Sequence, residues 1–104
     1  MRLPLRFPLG LVDVAGESMA PTLGAGDTVL VRWGARPRAG SVVVARWPGH
    51  GDVLVVKRAL RYEGELWWLE GDNAGASEDS RMRGGVPASA LRGRVLLRVR
   101  RRHG

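Results

Sequence analysis

The sequence predicts one mainly β domain, a small barrel or sandwich with little helix. Three observations lead there. The chain has 104 residues, the size of one domain with one modest core. Short runs of Val, Leu, Trp and Thr recur along it, each closed by a turn signal rich in Gly, Pro or Asp. Only VPASAL, at 86–91, reads as a helical turn.

The elements follow in order. Residues 1–11, MRLPLRFPLGL, read as an N-terminal arm leading into a strand. Pro4 and Pro8 interrupt it, and it lacks the ~7–15-residue apolar run of a signal peptide. GAGD is a turn signal before TVLVRW at 28–33, a strand of β-forming residues. GARPRAG turns the chain into SVVVARW at 41–47, and PGHGD breaks it again. VLVVKRALRY at 53–62 is the longest strand candidate. EGE at 63–65 is a hairpin turn into LWWLE. GDNAGASEDSRMRGG is a long polar loop, and such loops in small domains are often functional. GRVLLRVRR closes the domain as a strand, with residues 98–104 as a basic tail. Residues 1–104 show no internal repeat and no linker.

Composition removes several functions. With no cysteine there is no disulfide, zinc-thiolate site or cysteine nucleophile. No apolar run approaches the ~18 residues that span a bilayer. A cytoplasmic protein is expected, with peripheral membrane contact as the alternative. The net charge is +7, and Lys57 is the only lysine among 17 basic residues. Arginine stays protonated, whereas a buried lysine can lose its proton.

Lys57 shares a strand face with Val53, Val55 and Ala59, and the opposite face carries Leu54, Val56, Arg58 and Leu60. Burial among these neighbours lowers the amine pKa. A free lysine, with a pKa of about 10.4, is neutral at pH 7 in about four molecules per ten thousand. A fall to about 7 would make it a usable general base. The competing reading is a stem packed on the strand with its amine in water. Ser18, in GESMAPTL, follows Gly16 and precedes Pro21, which fixes an exposed position. It is either a turn residue or a nucleophile with Lys57 as base, since Ser-Lys pairs substitute for Ser-His. In GDNAGASEDSR, Ser77 or Ser80 could orient the lysine, and Asp79 and Arg81 could pair to hold the loop. A calcium site from Asp72, Asn73, Glu78 and Asp79 does not match the spacing of a calcium loop. His50 and His103 have no plausible catalytic neighbour. Trp33, Trp47, Trp67 and Trp68 read as packing residues, with Trp67 and Trp68 on opposite faces.

Together, GESMAPTL, GDTVLV, VVKRA and GDNAGASEDSR with the following VP and LRGRV resemble, in order, the boxes of the type I signal peptidases and their relatives. The resemblance spans about residues 12–97. It implies a signal-peptidase-like or LexA-like catalytic β-fold and a serine endopeptidase needing no metal or cofactor. By this resemblance Ser18 is the nucleophile, Lys57 the general base, Ser77 the residue that orients the lysine, and Asp79 and Arg81 the loop-holding pair. The family's oxyanion hole uses the nucleophile's own N–H. Many relatives add a hydroxyl two positions earlier, where this chain has Gly16. The strands around Val12, Asp13, Val14 and Ala15 and around Val53, Leu54, Val55 and Val56 are expected to flank an extended peptide.

No membrane anchor is evident, and only residues 58–70 separate the lysine and GDN boxes. This minimal pattern is similar to the nickel-type superoxide dismutase maturation proteases. The expected partner is therefore a protein with an extended N-terminal pro-segment, a nickel dismutase precursor, with no nucleic acid. The alternatives are a signal peptidase acting on secretory preproteins at a membrane and a non-enzymatic nucleic-acid-binding β-barrel. The basic run RGRVLLRVRRRHG near tryptophans suggests the latter.

Overall fold

The computed structural model describes residues 8–47, 49 and 53–102. Residues 1–7 of the expected arm, and both histidines, lie outside the described residues. Six strands form one antiparallel sheet: β1 (Leu9–Asp13), β2 (Thr28–Trp33), β3 (Val42–Arg46), β4 (Leu54–Glu63), β5 (Leu66–Glu70) and β6 (Leu91–Arg100). Their order is β1-β2-β6-β3-β4-β5, so the last strand inserts between β2 and β3. Among the described residues, helix is confined to α1 (Ser80–Arg83) and two 3-10 turns, Ala74–Ala76 and Ala88–Ala90. The second of these is the turn expected in VPASAL.

The mainly β class is as expected, and the barrel-or-sandwich alternative resolves to this single sheet. Its centre is covered on both faces. Val44 packs with Val14, Met19, Leu23, Val29 and Val31. Its neighbours Val43 and Ala45 point the other way, into a cluster with Trp47, Ala59, Leu69 and Val86. Alternation along one strand thus feeds two apolar layers. Gly93 of β6 stands where β2 side chains cross over it: a Cβ there would come within 2.7 Å of Val31.

Two expected boundaries are corrected. Leu9, Gly10 and Leu11 are not part of an arm. They pair with Arg32, Val31 and Leu30, because β2 offers them a ladder of backbone hydrogen bonds. The basic tail likewise begins later than residue 98. Val95, Leu97, Arg98 and Arg100 pair with β2, and buried Asp27 accepts from the Arg102 N–H and pairs with Arg98. Trp68 is half-buried under the Arg61 guanidinium, and Trp67 packs on Tyr62 on the other face.

The β4–β5 hairpin turns through Gly64 (φ 59°) and Glu65 (φ 65°), both left-handed, as a primed two-residue turn needs. Glycine adopts this backbone freely, whereas glutamate adopts it at a cost in strain. Glu65→Gly should therefore stabilise the protein by about 1 kcal/mol and raise Tm by about 4 °C or more, read by thermal unfolding. A lower Tm would mean that the glutamate is not strained there.

Candidate active site

The turn that carries Ser18 is anchored at both ends. Val14 and Met19 sink into the first apolar cluster, and the backbone of Val14 exchanges hydrogen bonds with Asp27 and Gly26. Gly16, at φ 77°, lets the chain reverse between those anchors. Ser18 is left half-buried above a cleft. Its carbonyl accepts the Asn73 N–H at 2.8 Å, and the Glu17 carbonyl accepts from the Asn73 side chain at 3.1 Å. The Ser18 N–H has no acceptor among the described residues. Gly16 has no side chain to place beside it.

Lys57 lies opposite Val43 on β4 and is only 4% exposed. Its Nζ donates to Ser77 Oγ at 2.9 Å, and Ser77 donates to Asp79 Oδ2 at 2.7 Å. Asp79 is fully buried. It also accepts from the Gly71 N–H and from Arg81, and it caps α1. Burial alone would raise the Asp79 pKa. The hydrogen bonds from Arg81, Gly71 and Ser77 outweigh that and hold the carboxyl well below the usual carboxylate range. At Lys57 burial dominates and lowers the pKa from its ordinary value near 10.5. Asp79 and Glu78 pull it back up, and Arg81 pushes it down.

Sequence reasoning left several residues here without a role. Arg58 grips Asp72 through two hydrogen bonds of 2.8 Å, and Thr22 donates to the same carboxylate at 2.6 Å. The Ser18 turn, β4 and the GDN loop are thereby tied together. Gly71 is the other: a Cβ there would come within 2.5 Å of the Ser18 carbonyl and closer still to Ser77 Oγ. Ser80, the other candidate to orient the lysine, is turned away and accepts the Leu69 N–H instead. Asp72 and Asp79, which a calcium loop would use, are paired with arginines.

The cleft, of about 220 Å3, is lined by Val12, Asp13, Ala15, Ser18, Val44 and residues 53–57. It brings together every residue expected to flank a peptide except Val14, which alternation turns into the core. It lies between two unpaired edges. Among the described residues β1 ends the sheet, and the β4–β5 ladder starts only at Arg58, so Leu54–Lys57 have no described strand on that side. Ser18 and Lys57 face this space with no hydrogen bond between them, an arrangement common where a catalytic contact tightens only on substrate. A larger hollow, about 380 Å3, lies at the end of β3 and holds neither residue.

Comparison with known proteins identifies the family. Residues 6–84 match the peptidase S24-like family. The chain is 34% identical to a mitochondrial ATP-independent inner membrane protease subunit 1a of Arabidopsis thaliana, over 90% of this chain and 72% of the relative. It is 33% identical to a mitochondrial inner membrane protease subunit 1 of Xenopus tropicalis, over 86% of this chain and 68% of the relative. For the Homo sapiens subunit 1 the figures are 29%, 86% and 69%. The narrower resemblance to nickel dismutase maturation proteases finds no counterpart among these relatives. The chain belongs to the peptidase S24-like family, and it is a protease.

Proposed function

We propose that this protein is a Ser-Lys endopeptidase of the signal-peptidase type, removing an N-terminal leader from proteins presented at a membrane surface. The observation that carries the chemistry is Lys57: the chain's only lysine, buried, held by Ser77, and facing the cleft that Ser18 lines. Its neutral amine takes the proton from Ser18 Oγ as the oxygen attacks the scissile carbonyl. The Ser18 N–H receives the developing oxyanion. The ammonium then returns the proton to the leaving amine, and a water activated by Lys57 hydrolyses the acyl-enzyme. The substrate enters as a strand between the free edges of β1 and β4.

A second observation supports the membrane side of this reading. The register places Leu11, Leu30 and Leu97 in one row across β1, β2 and β6, beside a row of Leu9, Arg32 and Arg94. Leu11 is 66% exposed and Leu97 52%. Apolar side chains flanked by guanidinium groups suit an anionic lipid interface. No helix among the described residues is long and apolar enough to cross a membrane.

The substrate test is incubation with a secretory preprotein in detergent and, separately, with a nickel dismutase precursor, followed by mass spectrometry. Cleavage at the leader junction of the preprotein is expected. Cleavage of the dismutase precursor alone would restore the pro-segment reading. In the same assay Ser18→Ala and Lys57→Arg should each lose at least about 100-fold in rate while circular dichroism stays unchanged. Appreciable activity in Lys57→Arg would remove lysine as the base.

The active amine is the neutral one. The rate is therefore low below the Lys57 pKa and levels off above it, and burial sets that pKa below 10.5. A kcat/KM profile should rise through an apparent pKa clearly under this value. A rise only at the free-lysine value would contradict the desolvated base.

Gly71→Ala forces a Cβ against the Ser18 carbonyl and Ser77. We expect a lower Tm and a loss of about 100-fold in kcat, since displacements of about 1 Å at a reacting group cost that much. Wild-type turnover in this variant would show that the loop yields freely.

A further inference from the structure

Asp13 closes β1 and lines the cleft, and the ladder around it shows which way its backbone points. Its neighbour Val14 donates its N–H to the Asp27 carbonyl and accepts the Gly26 N–H, both in the segment that leads into β2. Successive residues of an antiparallel strand turn their backbone groups to opposite sides. The N–H and carbonyl of Asp13 therefore face the edge of β1 that no described strand covers. The side chain is positioned as well. Asp13, Thr28 and Arg100 stand in one row across β1, β2 and β6. Thr28 is buried, and its hydroxyl donates to Asp13 Oδ1 at 2.8 Å. The same hydroxyl accepts, more weakly, from Arg100 at 3.4 Å. A carboxylate only accepts, so the single hydroxyl proton is committed to Asp13. This contact takes up one of about four lone-pair positions on the carboxylate, and Asp13 itself is exposed.

From this we infer that Asp13 is a specificity-determining residue: the substrate carries a basic side chain, lysine or arginine, beside Asp13 in the strand it adds to β1. The inference rests on the peptidase reading above and names the kind of leader it takes. Neighbouring strands lie about 4.8 Å apart, so the side chain that an added strand turns to the face of Asp13 comes within ion-pair distance. The row then alternates from Arg100 through the Thr28 hydroxyl and the Asp13 carboxylate to a substrate cation. A substrate carboxylate at that position would meet Asp13 instead, and like charges directly opposite are unfavourable. Asp13 touches a side chain remote from the bond that breaks, so its effect falls on KM rather than kcat.

The test uses short peptides spanning a secretory leader junction, with Lys, Ala or Glu placed at each position in turn. At one position the Lys peptide is expected to show a kcat/KM about tenfold above the Glu peptide, with the difference in KM. Asp13→Asn keeps an oxygen to accept from Thr28, and the residue is exposed, so this variant is expected to fold. It should level the Lys and Glu peptides, and Asp13→Lys should reverse their order. Equal cleavage of the Lys and Glu peptides at every position by the wild type, or a Lys preference that survives Asp13→Asn, overturns the inference. If no peptide is cleaved, the peptidase reading fails, and binding of the same peptides to the Ser18→Ala protein, read by fluorescence anisotropy, decides for Asp13. There the Lys peptide should bind about tenfold more tightly than the Glu peptide, and adding Asp13→Asn should remove the difference. Equal affinities, or no binding, overturn it.

Discussion

Asp79, a carboxylate with no exposure to solvent, fixes the direction of every hydrogen bond that reaches Lys57. An ionised carboxylate only accepts. Ser77 must therefore point its proton at Asp79 and offer a lone pair to the amine. One N–H of Lys57 is held there, and the lone pair of the neutral amine is left for the cleft. The same carboxylate opposes the neutral amine, because its charge favours the ammonium form. Arg81 resolves the conflict. It pairs with Asp79 through two nitrogens and itself disfavours the charged amine. The pair that holds the loop is thus an electrostatic component as well as a mechanical one. Its stabilising contribution is present above the ordinary aspartate range and is lost only as pH falls through the depressed Asp79 pKa.

The second shared element is Asn73. It binds the Glu17 and Ser18 carbonyls, while its neighbour Asp72 binds Arg58 of β4 and Thr22 beyond Ser18. Ser18 and Lys57 come from chain segments far apart, yet one loop registers both. Gly71 begins that loop because the Ser18 carbonyl and Ser77 occupy the space a side chain would need.

Much of this was legible in the sequence. TVLVRW at 28–33 is β2 to the residue, because β-forming residues and a GAGD turn mark both its type and its start. The alternation along 53–59 placed Lys57 on a face with Val55 and Ala59, and the structure keeps it there and buries it. What escaped was set by contacts distant in the chain. No local pattern says that β6 inserts between β2 and β3, or that strand periodicity runs on past β1 and turns Val14 inward. Register shifts on β2, β3 and β4 also break simple alternation, as at Ala59 and Arg61. The short helix α1 did leave a local signal: Asp79 as a capping residue before SRMR. Gly71 and Asp72 left none, since their roles depend on Ser18 and Arg58 arriving from elsewhere.

The two open sheet edges that bound the cleft have a further consequence. An edge with free backbone donors and acceptors pairs with any extended chain, including a strand of another copy. The partners available to it are restricted by brevity and shape: β1 is five residues long, and only Leu54–Lys57 of β4 are uncovered. Selectivity in such a groove comes from competition. An extended peptide and a neighbouring copy compete for the same backbone groups, so crowding of the protein with itself opposes peptide binding, and dilution favours it.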